Sequence, residues 1–307
     1  MVQFCVLGSL NMDMVTRVER FPKPGETIRG ISFNIFPGGK GANQAVALAR
    51  LGASVRIAGA IGTDVLGGQY AEILKKEGVE LDALARIQGV ATGTASIEVS
   101  TEGENHIVVV AAANGLADMA FVEERKSAIA SSDYLLLQLE VPMEAVAGGA
   151  RIAKDAGAAV VLDPAPAAKL SDELLALVDF ITPNETEAAA LTGEDTSTDA
   201  GIKRAARTLL SRGVKTVVIK AGKRGAFVAR GKDFFAVPGY PVHVVDTVAA
   251  GDSFNAGLAV ALGDGLGIAD AVRFANAVGA LSTMKEGAQS AMPTRAEVDA
   301  FMSSRRG

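Results

Sequence analysis

Two stretches of the chain combine residue types that could do chemistry at a spacing that suits it. The first is Asp246-Thr247-Val248-Ala249-Ala250-Gly251-Asp252-Ser253-Phe254. It follows the apolar run Val242–Val245, which reads as a strand, and enters a helical segment reaching about Leu262. The small residues Ala249, Ala250 and Gly251 would turn consecutive backbone N–H groups into the space before that helix, making an anion hole from main chain. Asp252 stands in the first turn, where the helix dipole favours an ionised carboxylate. A helix cap alone would need neither the small-small-Gly run nor a second acid at Asp246. A carboxylate beside an anion hole is what phosphoryl transfer requires: the amides neutralise the moving group while the carboxylate takes the acceptor hydroxyl proton.

The second stretch is Gly38-Gly39-Lys40-Gly41-Ala42-Asn43-Gln44, which runs directly into a helix ending near Gly52. Glycines let a backbone approach a ligand closely, and free amides at a helix start favour polar oxygens. Lys40 adds a cation and Asn43 an amide that can donate to hydroxyls. A Gly-rich turn before a helix can also be purely structural, and the lysine between glycines is what points to a ligand.

The elements that must carry these stretches read as an alternating α/β chain. Candidate strands are Phe4–Leu7, Val55–Ala58, Tyr134–Gln138, Ala159–Asp163, Phe180–Thr182 and Thr216–Lys220, several of them apolar at nearly every position. Strands covered by helices on both faces have that pattern. Helical spacing occupies Gly41–Leu51, Gly67–Glu77, Glu144–Ala156 and Gly201–Arg212. The expected fold is a three-layer α/β/α sandwich around a mostly parallel sheet, one domain over residues 1–307. Met14–Arg20 with Ile28–Phe36, and Ser96–Val99 with His106–Val110, break the rhythm as extended pairs around polar or Pro/Gly turns. These inserts, approximately 14–37 and 91–110, are expected to form a small separate β-sheet acting as a lid.

Composition removes several function classes. Of 307 residues, 49% are apolar and 21% charged, with a net charge of −5. That balance excludes disorder and fibrous repeats, and it lacks the basic clustering of a nucleic-acid binder. No apolar run approaches the roughly 18 residues of a transmembrane helix, and no basic start precedes an apolar segment as in a signal peptide. The single cysteine, Cys5, fits a buried small hydrophobe in a reducing compartment, so the expected location is cytoplasmic. One Cys and two His cannot supply a Cys/His metal cluster. Neither a P-loop nor a dinucleotide-binding Gly fingerprint is present. His106 and His243 are expected to be structural.

Together the segments Gly8-Ser9-Leu10-Asn11-Met12-Asp13, Gly38 to Gln44, Asn184-Glu185-Thr186-Glu187 and Asp246 to Phe254 resemble the ribokinase-like family of sugar and nucleoside kinases. Gln138-Leu139-Glu140, Asp163-Pro164-Ala165-Pro166 and Lys285-Glu286-Gly287-Ala288 add weaker matches, so the resemblance spans nearly the whole chain in order. It implies that Asn11 and Asp13 bind sugar hydroxyls, with Gly39, Lys40, Gly41, Ala42, Asn43 and Glu140 lining the same pocket. It implies Asp252 as catalytic base with Ala249, Ala250 and Gly251 as anion hole. ATP would be held by Asn184, Gly251, Asn276 and the stretch Lys220-Ala221-Gly222-Lys223-Arg224-Gly225. Asn184 and Glu187 would organise Mg²⁺ through water. A monovalent cation, usually K⁺, would sit against Asp246, Val248, Ser282, Lys285, Gly287 and Ala291, mostly on backbone carbonyls. Two positions depart from the family pattern: Asn276 stands where a histidine near adenine is common, and Ala291 where a serine often completes the cation site.

The function so implied is ATP-dependent phosphorylation of the 5-hydroxyl of D-ribose. Another sugar (2-deoxyribose, fructose) or a nucleoside is the alternative acceptor, although an aromatic content of 5% offers little for stacking a base. A non-catalytic sugar-binding regulator would keep the pocket without the chemistry. The exposed edges of the lid are expected to pair with a second copy, giving a homodimer, with neither nucleic acid nor membrane as partner.

Overall fold

The uninterrupted apolar strands are explained by where their side chains go. In the computed structural model, which describes residues 2–305, successive side chains of one strand enter different cores. Val6 packs on one face with helices Lys40–Arg50, Ala250–Gly263 and Ile268–Ser282, while Cys5 and Leu7 pack on the other with helices Met143–Asp155 and Asp199–Ser211. Leu136 and Val218 likewise face the first core, and Leu135, Leu137, Val217 and Ile219 the second. Each such fully buried side chain contributes about 1.5–3 kcal/mol relative to exposure. Alternation is therefore absent because neither face meets water.

Along the chain the first strands are β1 (Gln3–Leu7), β2 (Asn11–Val18), β3 (Gly30–Gly38), β4 (Ser54–Gly62), β5 (Leu84–Ile87), β6 (Gly93–Ser100) and β7 (Asn105–Val110). They are followed by β8 (Tyr134–Leu137), β9 (Ala159–Leu162), β10 (Phe180–Ile181), β11 (Thr216–Lys220), β12 (Ala226–Arg230) and β13 (Asp233–Val237). Among the described residues they form a nine-stranded sheet, ordered β13-β12-β11-β10-β9-β8-β1-β4-β5, and a four-stranded sheet, β3-β2-β6-β7. The large sheet is parallel except for the β11–β12 and β12–β13 hairpins. β1 lies between β4 and β8, so the chain winds outward in both directions from the centre. Crevices form at the carboxyl ends of strands at such a switch point.

The small sheet stands apart from the three layers. Its row Phe36–Asp13–Ala95–Val109 crosses all four strands on one face, and Ile35–Met14–Ser96–Val108 crosses them on the other. Both β2 and β3 extend beyond the sequence-based bounds, so Asn11, Asp13 and Gly38 belong to the lid strands themselves.

One expected element is corrected. Val242–Val245 is not a strand: β13 ends at Val237, and the segment up to Ala249 runs as a loop. Its β-branched residues suggest a strand, but no neighbouring strand offers a ladder. Instead Val245 N and Asp246 N donate to Thr283 O, and Val244 and Val245 remain half exposed. The β12–β13 hairpin that closes the sheet edge, and the short strand β5 at the opposite edge, are not among the expected strands. Cys5 is buried and unpaired, and burial pushes its thiol up to about 12, which makes it chemically inert.

Candidate active site

The carboxyl ends of the strands and two helix starts converge on one crevice. After β1 the chain turns at Gly8-Ser9, and helix Lys40–Arg50 begins against that turn, with Ala42 N donating to Ser9 O at 3.0 Å. The approach requires glycine: a Cβ on Gly41 would lie 2.5 Å from Gly8 C. At Gly39 the backbone has φ 87°, and a Cβ there would lie 2.6 Å from Asn11 N. The Gly-Gly motif thus serves close backbone packing.

Asp252 occupies the first turn of helix Ala250–Gly263 and is buried. Asn43 Nδ2 donates to its Oδ2 at 3.0 Å and Gln44 Nε2 to its Oδ1 at 3.2 Å. Burial raises the carboxyl to about 6; the Lys40 ammonium opposes that rise and Asp163 adds to it. The residue before the helix, Ala249, is held in the left-handed region at φ 57°. That conformation costs an L-residue about 1–2 kcal/mol. Of the three amides expected to form an anion hole, that of Ala250 is already taken in this structure: it donates to Thr247 O at 3.2 Å, closing the turn before the helix.

Asp13 and Glu140 face each other across the same crevice. Burial first, and the Glu140 charge second, push Asp13 up to about 7. Glu140 Oε2 accepts from Ser9 Oγ at 2.5 Å and from Lys40 N at 3.2 Å. Asn11 is buried, and its Oδ1 accepts from Asn114 Nδ2 at 2.8 Å, which leaves its own Nδ2 as a donor. Burial opposes the charge on Lys40, but the surrounding carboxylates of Asp252, Asp163, Glu140 and Glu187 outweigh it and raise its pKa. These residues form one acid-rich pocket with Lys40 at its centre.

Lys220, at the end of β11, reaches the same crevice. Its Nζ is 2.9 Å from Asp163 Oδ1, and a Cβ on Gly251 would lie 3.3 Å from it. The ammonium therefore stands at the start of the Asp252 helix and is not a solvated surface charge. Asn184 bridges to Lys220 in parallel fashion and caps helix Glu185–Thr192 in a reciprocal box with Glu187. Glu187 Oε2 is bound by Asn184 N at 2.8 Å, and burial raises its pKa against the pull of Lys220. Ala221 and Gly222 continue the turn after Lys220. Lys223 is exposed, Arg224 pairs with Glu185 and Asp199, and Gly225 packs against the Val237–Gly239 backbone. Asn276 donates to Val237 O and Pro238 O at 3.1 Å each, tying helix Ile268–Ser282 to the loop after β13.

The segments expected to hold a monovalent cation are also adjacent. Asp246 Oδ1 accepts from Val248 N at 3.0 Å and its Oδ2 from Gly287 N at 2.9 Å. Ser282 donates to Gly279 O at 2.8 Å, Lys285 pairs with Glu297, and Ala291 is buried in the turn Gln289–Ala291. His106 stacks on Phe21 at the lid, and His243 is exposed in the 238–249 loop.

Residue types alone did not single out Gln44, Gln138, Asp163, Tyr70 or Gln289 as parts of this crevice. Gln138 and Asp163 had a usable signal: each is the polar residue directly after an all-apolar parallel strand, where a doubly wound sheet opens its crevice. Tyr70 and Gln289 carry no local signal. Tyr70 donates to Gly38 O, and Gln289 Nε2 donates to Asn43 Oδ1 at 3.2 Å and to Tyr70 Oη at 3.0 Å, a contact only tertiary packing creates.

Comparison with known proteins identifies the family. The family model described as "pfkB family carbohydrate kinase" matches residues 1–295. The ribokinase of Haemophilus influenzae is 44% identical over 297 residues, covering 97% of each chain. That of Bacillus subtilis is 41% identical over 303 residues, 99% of this chain and 100% of the other. Among solved structures, Arabidopsis thaliana ribokinase complexed with ribose and ATP superposes with a TM-score of 0.94 at 34% identity, covering 98% of this chain and 99% of that one. With a family match across nearly its full length and relatives of this identity, the chain belongs to the pfkB family of carbohydrate kinases, and it is a carbohydrate kinase.

Proposed function

We propose that the protein transfers the γ-phosphoryl group of ATP to the 5-hydroxyl of D-ribose, giving ribose 5-phosphate and ADP. The observation that carries this reading is the buried Asp252 carboxylate at the start of a helix, tethered to Asn43 of the sugar-side motif. The similarity to ribokinases, one of them solved with ribose and ATP, supports the choice of acceptor and donor.

In this mechanism Asp13, Asn11, Asn43 and Glu140 bind the sugar hydroxyls, with Gly39, Lys40, Gly41 and Ala42 forming the wall. Asp252 accepts the 5-hydroxyl proton as that oxygen bonds to the γ-phosphorus and the bond to the ADP oxygen breaks. The amides of Ala249 and Gly251, with Lys220 beside them, stabilise charge on the moving group, and that of Ala250 joins them by exchanging its bond to Thr247 O. A general base in a dry site is suited by a pKa near neutrality, which burial gives Asp252. The β2-β3-β6-β7 sheet excludes water, which competes as acceptor.

The donor set around Asn184 and Glu187 fits Mg²⁺ held chiefly through nucleotide phosphates. Glu187 offers one carboxylate oxygen beyond its cap bond, and Mg²⁺ uses few protein carboxylates and keeps waters. When bound, the ion neutralises phosphate charge. The Asp246 region fits a K⁺ ion on carbonyls, because the carboxylate joins the Val248 and Gly287 loops; with Ala291 in place of a hydroxyl, one ligand is supplied by water or a carbonyl.

We also assign a homodimer formed through the lid, because Phe33, Val108 and Val109 are 57%, 64% and 56% exposed on a sheet with free edges. No helix among the described residues is long and apolar enough to cross a membrane, and the inert buried Cys5 suits a reducing cytoplasmic setting. A coupled ADP-release assay with ribose, 2-deoxyribose, fructose and nucleosides tests the assignment: ribose should give the highest kcat/KM. Turnover of a nucleoside but not ribose would refute it.

A further inference from the structure

The crevice holds a buried amide that no step of the transfer reaction uses. Gln44 Nε2 lies 3.2 Å from Asp252 Oδ1 and 3.2 Å from Asp163 Oδ2, so its two N–H groups serve two carboxylates. Its Oε1 accepts from Gln138 Nε2 at 2.7 Å. Gln44, Gln138, Asp163 and Asp252 are all buried. This pattern admits one orientation of the Gln44 amide: turned over, its oxygen would meet two carboxylates and its nitrogen another nitrogen. Gln138 is packed against the β1 turn, where a Cβ on Gly8 would fall 2.0 Å from its Oε1; that oxygen has no hydrogen-bond partner among the described residues, so the Gln138 amide is held by this packing and by its bond to Gln44. Asp163 in turn holds Lys220, whose ammonium stands beside Gly251. A continuous path, Lys220–Asp163–Gln44–Asp252, thus connects the phosphate end of the crevice to the carboxylate at the acceptor end.

We infer that Gln44 is a positioning residue: locked by Gln138, it fixes the rotation of the Asp252 carboxylate and ties it to the Asp163–Lys220 ion pair. A terminal carboxylate torsion is otherwise broad, and a general base must point one oxygen at the proton it takes. With Asn43 gripping one oxygen and Gln44 the other, Asp252 enters the reaction already aimed. The inference rests on Asp252 being the base.

The test is steady-state kinetics, with ATP and ribose, of the parent protein, Gln44→Met and Gln138→Met. Gln44→Met keeps length and removes both donors. Its kcat should fall about 10- to 100-fold while KM for ribose stays within about twofold. The acid limb of its kcat–pH profile should also move to higher pH. Asp252 loses a donor to its charged form, while the other charges facing it, Lys40 and Asp163, are unchanged. Gln138→Met should lower kcat by a smaller factor, again with KM preserved. A folded Gln44→Met protein with parental kcat and pH limb overturns the inference, as does a rise in KM with kcat unchanged. If Gln44→Met does not fold, Gln138→Met decides: parental kcat there overturns it. A parent that turns over no sugar removes the reading of Asp252 itself, and the inference with it; a parent that turns over ribose beside unaffected variants removes the inference alone.

Discussion

Asn43 Nδ2 lies 3.0 Å from Asp252 Oδ2, joining the Gly-Gly-Lys-Gly-Ala-Asn stretch to the Gly-Asp stretch across the interface of two helices. The bond has a fixed direction. Asn43 Oδ1 accepts from Gln289 Nε2, and Gln289 in turn bonds Tyr70, so the Asn43 amide cannot turn over without losing both contacts. The two motifs are therefore one hydrogen-bonded unit.

That direction shapes the outcome of Asp252→Asn. Both carboxylate oxygens accept, from Asn43 and from Gln44. An asparagine has one acceptor and would set an NH₂ against one of these amides. Turnover should fall by about 10²–10⁴, the range for a lost general base. The protein should still fold and bind ribose, as checked by circular dichroism and calorimetric titration. Near-normal turnover would contradict the role given to Asp252.

Two raised carboxyls give two separable acid limbs. Asp13 is pushed up to about 7 and Asp252 to about 6. A protonated Asp13 is a poorer acceptor for hydroxyls, so KM for ribose should rise as pH drops through about 7. A protonated Asp252 cannot take the acceptor proton, so kcat should fall at lower pH, through about 6. Asp13→Asn should flatten the KM profile and leave the kcat limb in place. Initial rates between pH 5 and pH 8.5 check both, roughly the span over which these groups titrate.

The same shift makes a claim about stability. Asp13 has a folded pKa above its unfolded one, so the folded protein binds the extra proton. Its contribution is favourable below the unfolded value and is lost as pH rises through the folded one. Asp13→Asn should therefore stabilise the ligand-free protein at pH 8 by about 1–3 kcal/mol, with the gain vanishing towards pH 4. Urea unfolding at the two pH values measures it; an equal effect at both would show that the charge is not the cause.

Apolar residues are exposed on both faces of the lid, and Val108 and Val109 lie on opposite ones. Val108→Glu and Val109→Glu tested separately identify the dimer face: sedimentation velocity should give a dimer for the parent and a monomer for at least one variant. Two dimeric variants, or a monomeric parent, would refute pairing through this sheet.

Asp246 holds two backbone amides from different loops, Val248 N and Gly287 N. Asp246→Ala should release both. Any dependence of the rate on K⁺ over Na⁺ should disappear, and kcat should fall about tenfold or more as the adjacent amides lose their fixed placement. Rates in matched chloride salts report it; a variant with the parent's K⁺ response would exclude Asp246 from cation binding.

Much of this was legible in the order of the residues. Strands such as Tyr134–Leu137 and Ala159–Leu162 are apolar throughout because they are buried on both sides, and that property is local. The glycines of the Gly-Gly motif also announce themselves, because the close backbone approach at Gly39 and Gly41 excludes larger side chains. The Val242–Val245 run misled for the opposite reason: β-branched residues mark a strand only where a neighbour completes the ladder, and here the sheet edge had already ended. What only the folded chain decided is which polar groups meet. Gln44, Gln138 and Asp163 lie in segments the sequence already marks, but that they meet in one network is decided by a doubly wound sheet delivering its strand ends to a single crevice; Gln289, from the turn Gln289–Ala291, joins through Asn43 with no local signal at all. The carboxyl of Asp252 rises towards neutrality for the same reason: burial and facing charges are properties of the packed crevice.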